Sequence, residues 1–238
     1  MAALWLNPAW RPPASARATI VCVHGAVVDG YEMFLLRWRL EQLGYRTRLF
    51  QYRSMLRGLA ENTRRLKKFI TETEGDILHV VGHSMGGVLI RQAFEETPDP
   101  RPGRLVAIGS PLLDCWVGRR INRFHPHLGR YLVGRTVYEH ISVMPDPVWH
   151  GARDFCMLAG TYPFGIGAIF RSHPKPSDGV VLLNETRLVG LRDHVTFRLN
   201  HFGMLLSKRC AAQVACFLAT GAFAHPVSAP LATAEVAV

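Results

Sequence analysis

Gly82-His83-Ser84-Met85-Gly86 is the segment of this 238-residue chain whose residue types and spacing could do chemistry. A serine with glycine two places away on either side fits a sharp turn, in which the serine backbone is strained and bulkier neighbours would collide. The turn lifts the hydroxyl clear of the main chain. Before it runs Ile77-Leu78-His79-Val80-Val81, apolar and strand-like; after it, Gly87-Val88-Leu89-Ile90 opens a helical pattern. A helix that begins beneath the serine aims its first amide, Met85 N–H, where negative charge would develop on a substrate oxygen. A bare G-x-S-x-G occurs by chance in many chains. The strand before it and the helix after it make Ser84 a candidate nucleophile. Its hydroxyl is not deprotonated near neutral pH without a base, usually a histidine held in the right tautomer by a carboxylate.

The elements that must position such groups can be read from periodicity. Ala18 to Val23 reads as a strand in which Ile20, Val21, Cys22 and Val23 form a continuous apolar run, as suits a parallel strand covered on both faces. His24-Gly25-Ala26-Val27 follows as a loop. Gly30 to Leu43 has helical spacing and stops at Gly44; Arg46 to Tyr52 reads as a strand and Leu59 to Thr73 as a helix. That helix turns Leu59, Thr63, Leu66 and Ile70 inward and shows Arg64, Arg65, Lys67 and Lys68 to solvent. After the Ser84 turn come a helix from Met85 to Glu96, a strand from Leu105 to Gly109, a strand from Asp154 to Ala159, a strand from His194 to Leu199, and a closing helix from Ser207 to Thr220. Strand and helix alternate, which predicts an α/β fold: a mostly parallel sheet of about six strands with helices on both faces. Residues 1–17 read as a lead-in, 18–220 as one domain with an insertion at 111–150, and 221–238 as a loose tail. There is no internal repeat.

Functional groups on such a sheet belong at the carboxyl ends of its strands. Where a nucleophile sits on a strand–turn–helix, its partners follow in the order serine, acid, histidine. His201 directly follows the last strand, in Leu199-Asn200-His201-Phe202-Gly203, and is the expected base. His194 is the nearest rival but lies at the wrong end of that strand. His125, His127, His140, His150 and His173 lie in long loops, and His225 in the tail. The expected acid is Asp178, in the turn-forming Ser177-Asp178-Gly179 after the strand that ends near Gly160; a plain Asp-Gly turn is the other reading. Asp114, after the strand that ends at Gly109, is the rival acid, whereas Asp154 and Asp193 sit at strand beginnings. The loop after the first strand should supply a second oxyanion donor, the Ala26 N–H, with Gly25 allowing close approach and His24 bracing the loop. His83 is read as a packing residue.

Bulk properties set outer limits. Hydrophobic residues make up 48% and charged residues 19% of the chain, a globular balance, and no apolar run reaches the roughly 20 residues of a membrane span. Met1 to Leu6 is too short and lacks the basic start of a secretory signal. The five cysteines show no C-x-x-C spacing, and Cys22 and Cys156 fall in strand-like runs; a reduced, cytoplasmic protein is expected. The eleven histidines do not cluster at ligand spacing, so no metal and no cofactor are expected. The formal charge of +10 comes almost wholly from arginine spread along the chain. It could mark an anionic lipid surface, but no binding motif accompanies it, and nucleic acid is not an expected partner.

Val21-Cys22-Val23-His24-Gly25, Gly82-His83-Ser84-Met85-Gly86-Gly87, Ser177-Asp178-Gly179-Val180-Val181 and Asn200-His201-Phe202-Gly203 together resemble the α/β-hydrolase superfamily. Within it the chain is similar to the bacterial lipase and esterase branch and to lipase-like proteins related to inositol deacylases. The resemblance spans roughly residues 18 to 220. It implies a serine hydrolase acting on a small-molecule or lipid acyl ester through an acyl-enzyme. Ser84 would attack, His201 would move the proton, Asp178 would orient His201, and the Met85 and Ala26 amides would hold the oxyanion. Residues 111–150 stand where this superfamily inserts its lid. They mix Leu112, Trp116, Val117, Ile121, Leu132 and Val137 with Arg119, Arg120, Arg123, Arg130 and Arg135. That mixture suits an amphipathic cover over an acyl pocket, and also peripheral contact with an anionic membrane. Trp149, Tyr162, Phe164 and Phe170 are candidate pocket residues, and Gly165 and Gly167 suggest a close-packed loop. An acyltransferase or thioesterase with the same serine is the alternative, and a binding protein on a hydrolase fold the second.

Overall fold

The computed structural model describes residues 18–96, 99–124, 128–143, 145–169 and 176–225. The six-residue strand β1 (Ala18–Val23) is wholly buried, as its apolar run from Ile20 to Val23 leads one to expect, and its one polar side chain, Thr19, donates to the Glu74 carbonyl at 2.8 Å. A 3₁₀ turn at Tyr31–Met33 leads into α1 (Phe34–Gln42), followed by β2 (Arg46–Phe50) and α2 (Leu59–Thr71). Next come β3 (Ile77–His83), α3 (Met85–Glu96) and β4 (Leu105–Ile108). The insertion carries α4 (Trp116–Phe124), α5 (Gly129–Val133) and α6 (Arg135–Ile141). The chain closes with β5 (Phe155–Gly160), β6 (Asp193–Phe197), the short α7 (Gly203–Leu206) and α8 (Lys208–Thr220). These bounds differ from the expected ones by a residue or two, where terminal turns fray or tighten.

Among the described residues the strands form one sheet in the order β2-β1-β3-β4-β5-β6, parallel throughout. Alternate residues of each central strand feed two cores. Val21, Val80, Ala107 and Met157 face α2, α3 and the insertion; Ile20, Val81, Val106 and Cys156 face α1 and α8. The direction of winding reverses at β1, which has β2 on one side and β3 on the other. Loops leaving β1 and β3 therefore diverge at their carboxyl ends and open a crevice between them. Val23 stands opposite Gly82 there, so the His24–Val27 loop and the Ser84 turn are neighbours by register alone.

The chain packs beyond Gly221, where the loose tail was expected to begin. Gly221 caps α8 at φ 80°, Phe223 is buried against Phe217, and His225 bonds Asp193 at 2.9 Å. The helical repeat stops at Gly221, but Phe223 N–H and His225 both bond Asp193, far away in sequence, and such contacts leave no periodic trace. The rest of the expected tail and the lead-in at 1–17 lie outside the described residues. No helix among the described residues is long and apolar enough to cross a membrane.

Candidate active site

Ser84 alone makes the turn between β3 and α3. Its φ is 54°, a left-handed conformation that a residue with a side chain adopts only when its surroundings enforce it. The enforcement is visible on both sides. Ser84 N–H donates to the Ile108 carbonyl at 2.9 Å, and Gly87 N–H returns to the Ser84 carbonyl at 3.0 Å. A Cβ at Gly86 would lie 2.2 Å from the Val23 carbonyl oxygen, and one at Gly82 would lie 2.6 Å from Gly86. The small neighbours are thus demanded by the crossing of the turn over the end of β1. Met85 opens α3, so its amide has no carbonyl one turn earlier in the helix to bond.

Asp178 and His201 meet between the loops that follow β5 and β6. The carboxylate Oδ2 lies 2.7 Å from His201 Nδ1, and both side chains are almost fully buried. The other oxygen, Oδ1, accepts Val180 N–H at 2.9 Å and Val181 N–H at 2.7 Å, so the Ser-Asp-Gly turn closes on its own carboxylate. His201 is held at three points: the ring bond, its N–H to the Asp178 carbonyl at 2.9 Å, and its carbonyl 3.3 Å from His83 Nε2. The His83 ring packs 4.5 Å from that of His201. Burial, reinforced by the adjacent His201 ring, holds His83 well below the ordinary imidazole range, so it stays neutral beside its neighbour.

Room for the pair comes from the ends of two strands, which sequence reasoning did not single out. Gly109 follows β4 with φ 54°, and a Cβ there would approach Asp178 Oδ2 to 3.0 Å and His201 Nδ1 to 3.2 Å. Gly160 ends β5, where a Cβ would meet the Leu199 carbonyl at 2.5 Å and Asp178 Cβ at 2.6 Å. Both glycines were legible as strand terminators; what they leave space for was not.

The other histidines and acids are engaged elsewhere. Asp114 caps Cys115 N–H and pairs with Arg119 at the start of α4. His194 bonds Thr186 at 2.9 Å, His140 bonds the Pro111 carbonyl at 2.9 Å, and His150 lies 3.2 Å from Asp146. Asp154 pairs with Arg104 at 3.5 Å. His125, His127 and His173 lie outside the described residues. His24 braces its loop: Nδ1 lies 2.7 Å from the Gly25 carbonyl, Nε2 accepts Tyr52 N–H, and the ring stacks on Tyr52.

Ser84, Met85, Ala26 and His201 all line one cavity of about 390 Å³. The rest of its wall is almost wholly apolar. Val117, Ile121, Val133 and Val137 come from the three insertion helices, and Phe164 and Val181 from the loops after β5. The loop at 164–167 is close-packed: Gly167 N–H donates to the Gly179 carbonyl at 2.7 Å, and a Cβ at Gly165 would lie 2.8 Å from the same oxygen. Around the cavity Val27, Leu132, Phe164, Ile166 and Phe202 are exposed. Trp149, expected at this pocket, is not there. Its indole N–H donates to the Arg153 carbonyl and its ring packs on Phe155, the first residue of β5. The chain leaving α6 descends to the amino end of β5 before re-entering the sheet, and takes Trp149 with it. Tyr162 stacks on Phe164 without lining the cavity, and Phe170 lies outside the described residues. A larger hollow of about 520 Å³, lined by Lys67, Phe94, Asp99 and Arg101 among others, contains neither Ser84 nor His201.

Solved structures with the same architecture include a Bacillus licheniformis lipase in mature form. It is 16% identical, with 87% of this chain and 92% of that chain covered and a TM-score of 0.64. A metagenomic carboxyl esterase is 15% identical over 86% of this chain and 76% of that chain, with a TM-score of 0.64. A lipase-esterase related protein from Clostridium acetobutylicum is 13% identical over 87% and 97%, with a TM-score of 0.60. At such identities the likeness is one of fold. A search of curated proteins finds no match. The model of the alpha/beta hydrolase family matches residues 20–236, nearly the whole chain, and to that family the chain belongs.

Proposed function

We propose that this protein is a serine hydrolase that cleaves carboxylic acyl esters with an apolar acyl group, through an acyl-enzyme. The observation that carries the reading is the buried 2.7 Å Asp178–His201 bond on the same apolar cavity as the strained Ser84 turn. A carboxylate bonded to Nδ1 fixes the proton on that nitrogen and leaves Nε2 free to act as base. Ser84 Oγ attacks the ester carbonyl carbon while its proton passes to His201 Nε2. The carbonyl oxygen becomes an oxyanion held by the Met85 and Ala26 amides. Collapse expels the alcohol, which takes the proton from Nε2. Water then repeats the sequence on the acyl-enzyme, releases the acid and restores Ser84.

The cavity wall supports an apolar acyl chain, since among the described residues Ser84 and His201 are its only side chains able to hydrogen-bond strongly. The helices at 116–141 act as the lid over that chain. The exposed apolar rim beside the insertion's arginines fits transient contact with an anionic lipid surface. A fluorophosphonate probe should label the wild type and fail on Ser84→Ala. A series of p-nitrophenyl esters, run with and without anionic vesicles, should favour apolar acyl chains over acetate and show whether the surface raises the rate. Labelling that survives S84A would remove the nucleophile and with it the mechanism.

A further inference from the structure

Val27 carries a backbone conformation that its own side chain resists. Its φ is 67°, and Ser84 is the only other non-glycine residue with positive φ among the described residues. A β-branched side chain is strained in the left-handed region, and such strain persists only where the surroundings over-determine it. The holder here is Ser54, whose buried Oγ accepts Val27 N–H at 2.9 Å. Val27 directly follows Ala26, and both line the cavity with Ser84.

The same residue seats the insertion. The Ser54 carbonyl accepts Thr136 N–H at 3.0 Å and the Met55 carbonyl accepts Arg135 N–H at 3.1 Å, and these are the first two residues of α6. Thr136 Oγ1 donates to the Arg57 carbonyl at 2.8 Å and accepts from Asn62 Nδ2 at 2.9 Å, so the seat is a closed network. Gly134, just before α6, has φ 82°, and a Cβ there would come within 3.0 Å of the Ser54 carbonyl oxygen. Ser54 thus holds α6 with its main chain and the Ala26–Val27 turn with its side chain.

We propose that Ser54 is a positioning residue for the oxyanion donor: its hydroxyl keeps Val27 left-handed and so fixes the Ala26 amide, in register with the seat of α6. The inference rests on the ester-hydrolase reading above. Without the Ser54 acceptor, Val27 relaxes toward negative φ and the Ala26 amide turns with it. Substrate still enters an unchanged apolar cavity, so the loss falls on the transition state.

The test is steady-state hydrolysis of p-nitrophenyl hexanoate by wild type, Ser54→Ala, Ser54→Thr, Val27→Gly and the S54A/V27G double variant, with a thermal melt of each. S54A should lose roughly 10- to 100-fold in kcat, less than a deleted oxyanion donor costs, with KM within about twofold. S54T, which retains the hydroxyl, should restore most of kcat. Glycine adopts positive φ without strain, so V27G should recover part of kcat in the S54A background although residue 27 is not part of the α6 seat. Should S54A not fold, Ser54→Cys keeps the side chain's shape, weakens the acceptor and carries the same expectation. Wild-type kcat in S54A, or a loss that follows the melting temperature and is untouched by V27G, would overturn the proposal and leave Ser54 as a seat for α6 alone. If the wild type cleaves no ester, or labelling survives S84A, the hydrolase reading fails and takes this proposal with it; an active wild type beside an indifferent S54A defeats this proposal only.

Discussion

Asp178 divides its carboxylate between two tasks, and a single substitution separates them. Oδ1 closes the 178–181 turn on two amides and Oδ2 meets His201 Nδ1. In Asp178→Asn the amide oxygen can keep the two backbone bonds, so the turn should survive. The amide nitrogen then faces His201 Nδ1 as a donor and reverses the imidazole tautomer, placing the proton on Nε2, where a base is needed. The expected outcome is a fall in kcat on the order of 10⁴-fold with little change in melting temperature, read by ester kinetics and a thermal melt on the same preparation. A kcat within tenfold of wild type would show that Asp178 only builds a turn. The meeting of His201 with Asp178 was legible in the sequence because His201 closely follows the last strand and Asp178 stands in a turn-forming Ser-Asp-Gly, and chain order did the rest. Ser54 was not. Its value lies in contacts with residues 27 and 136, far from it in sequence, and a lone serine between Arg53 and Met55 carries no periodic or motif signal.

Four of the six strands were legible for a simple reason: strands buried on both faces are mostly apolar, as β1, β3, β4 and β5 are, whereas β2 and β6 are the partly exposed edges of the sheet. The insertion was legible only as a break in rhythm. The path of the chain after its three short helices left no local pattern, as Trp149 shows: it packs at the start of β5 and not on the cavity. Two buried ionisable groups share in docking the insertion. Arg91 on α3 donates to the Leu112 carbonyl at 2.8 Å and to the Asp146 and Val148 carbonyls, and so ties both roots of the insertion to the helix that follows Ser84. Glu185 accepts Trp116 N–H at the start of α4 and Leu182 N–H at 2.7 Å, and so joins the insertion to the Asp178 loop. Burial pushes the Glu185 carboxyl up to about 8 against the pull of those two amides, with Asp114 and Asp178 adding to the rise. Between the free carboxyl value of about 4.3 and about 8, the folded chain therefore keeps a proton that the unfolded chain has released. This contribution to stability is full below the window and is lost as pH rises through it. Glu185→Gln has no such proton. The stability of wild type relative to E185Q should fall steadily from the acid to the alkaline end of that window in urea titrations. A difference that does not vary with pH would mean that Glu185 is ionised throughout.

Across the whole molecule, one parallel sheet with a switch at β1 brings residues 26, 84, 178 and 201 to one end, and the same close packing traps neutral imidazoles. Burial lowers His79 to about 3, with Arg104 and Arg153 reinforcing it, and lowers His140 to about 4. Burial also lowers His24 and His83. Each of these rings would titrate near 6.5 in an unfolded chain. As pH falls below that value the unfolded chain takes up protons that the folded chain refuses, and stability drops by up to about 1.4 kcal/mol per pH unit for each ring. The sign is opposite to that of Glu185, and several rings outweigh one carboxyl, so the protein should be markedly less stable at pH 5 than at pH 7. General repulsion among the excess cationic groups, +10 at neutral pH, acts in the same direction. Salt distinguishes the two causes, because it screens repulsion between exposed charges and leaves proton uptake by the unfolded chain in place. Denaturant titrations at both pH values, with and without added salt, should show an acid loss that persists in salt. The loss should shrink in His140→Gln, whose amide can still donate to the Pro111 carbonyl but takes up no proton on unfolding. An acid loss abolished by salt and unchanged in H140Q would assign it to surface charge instead.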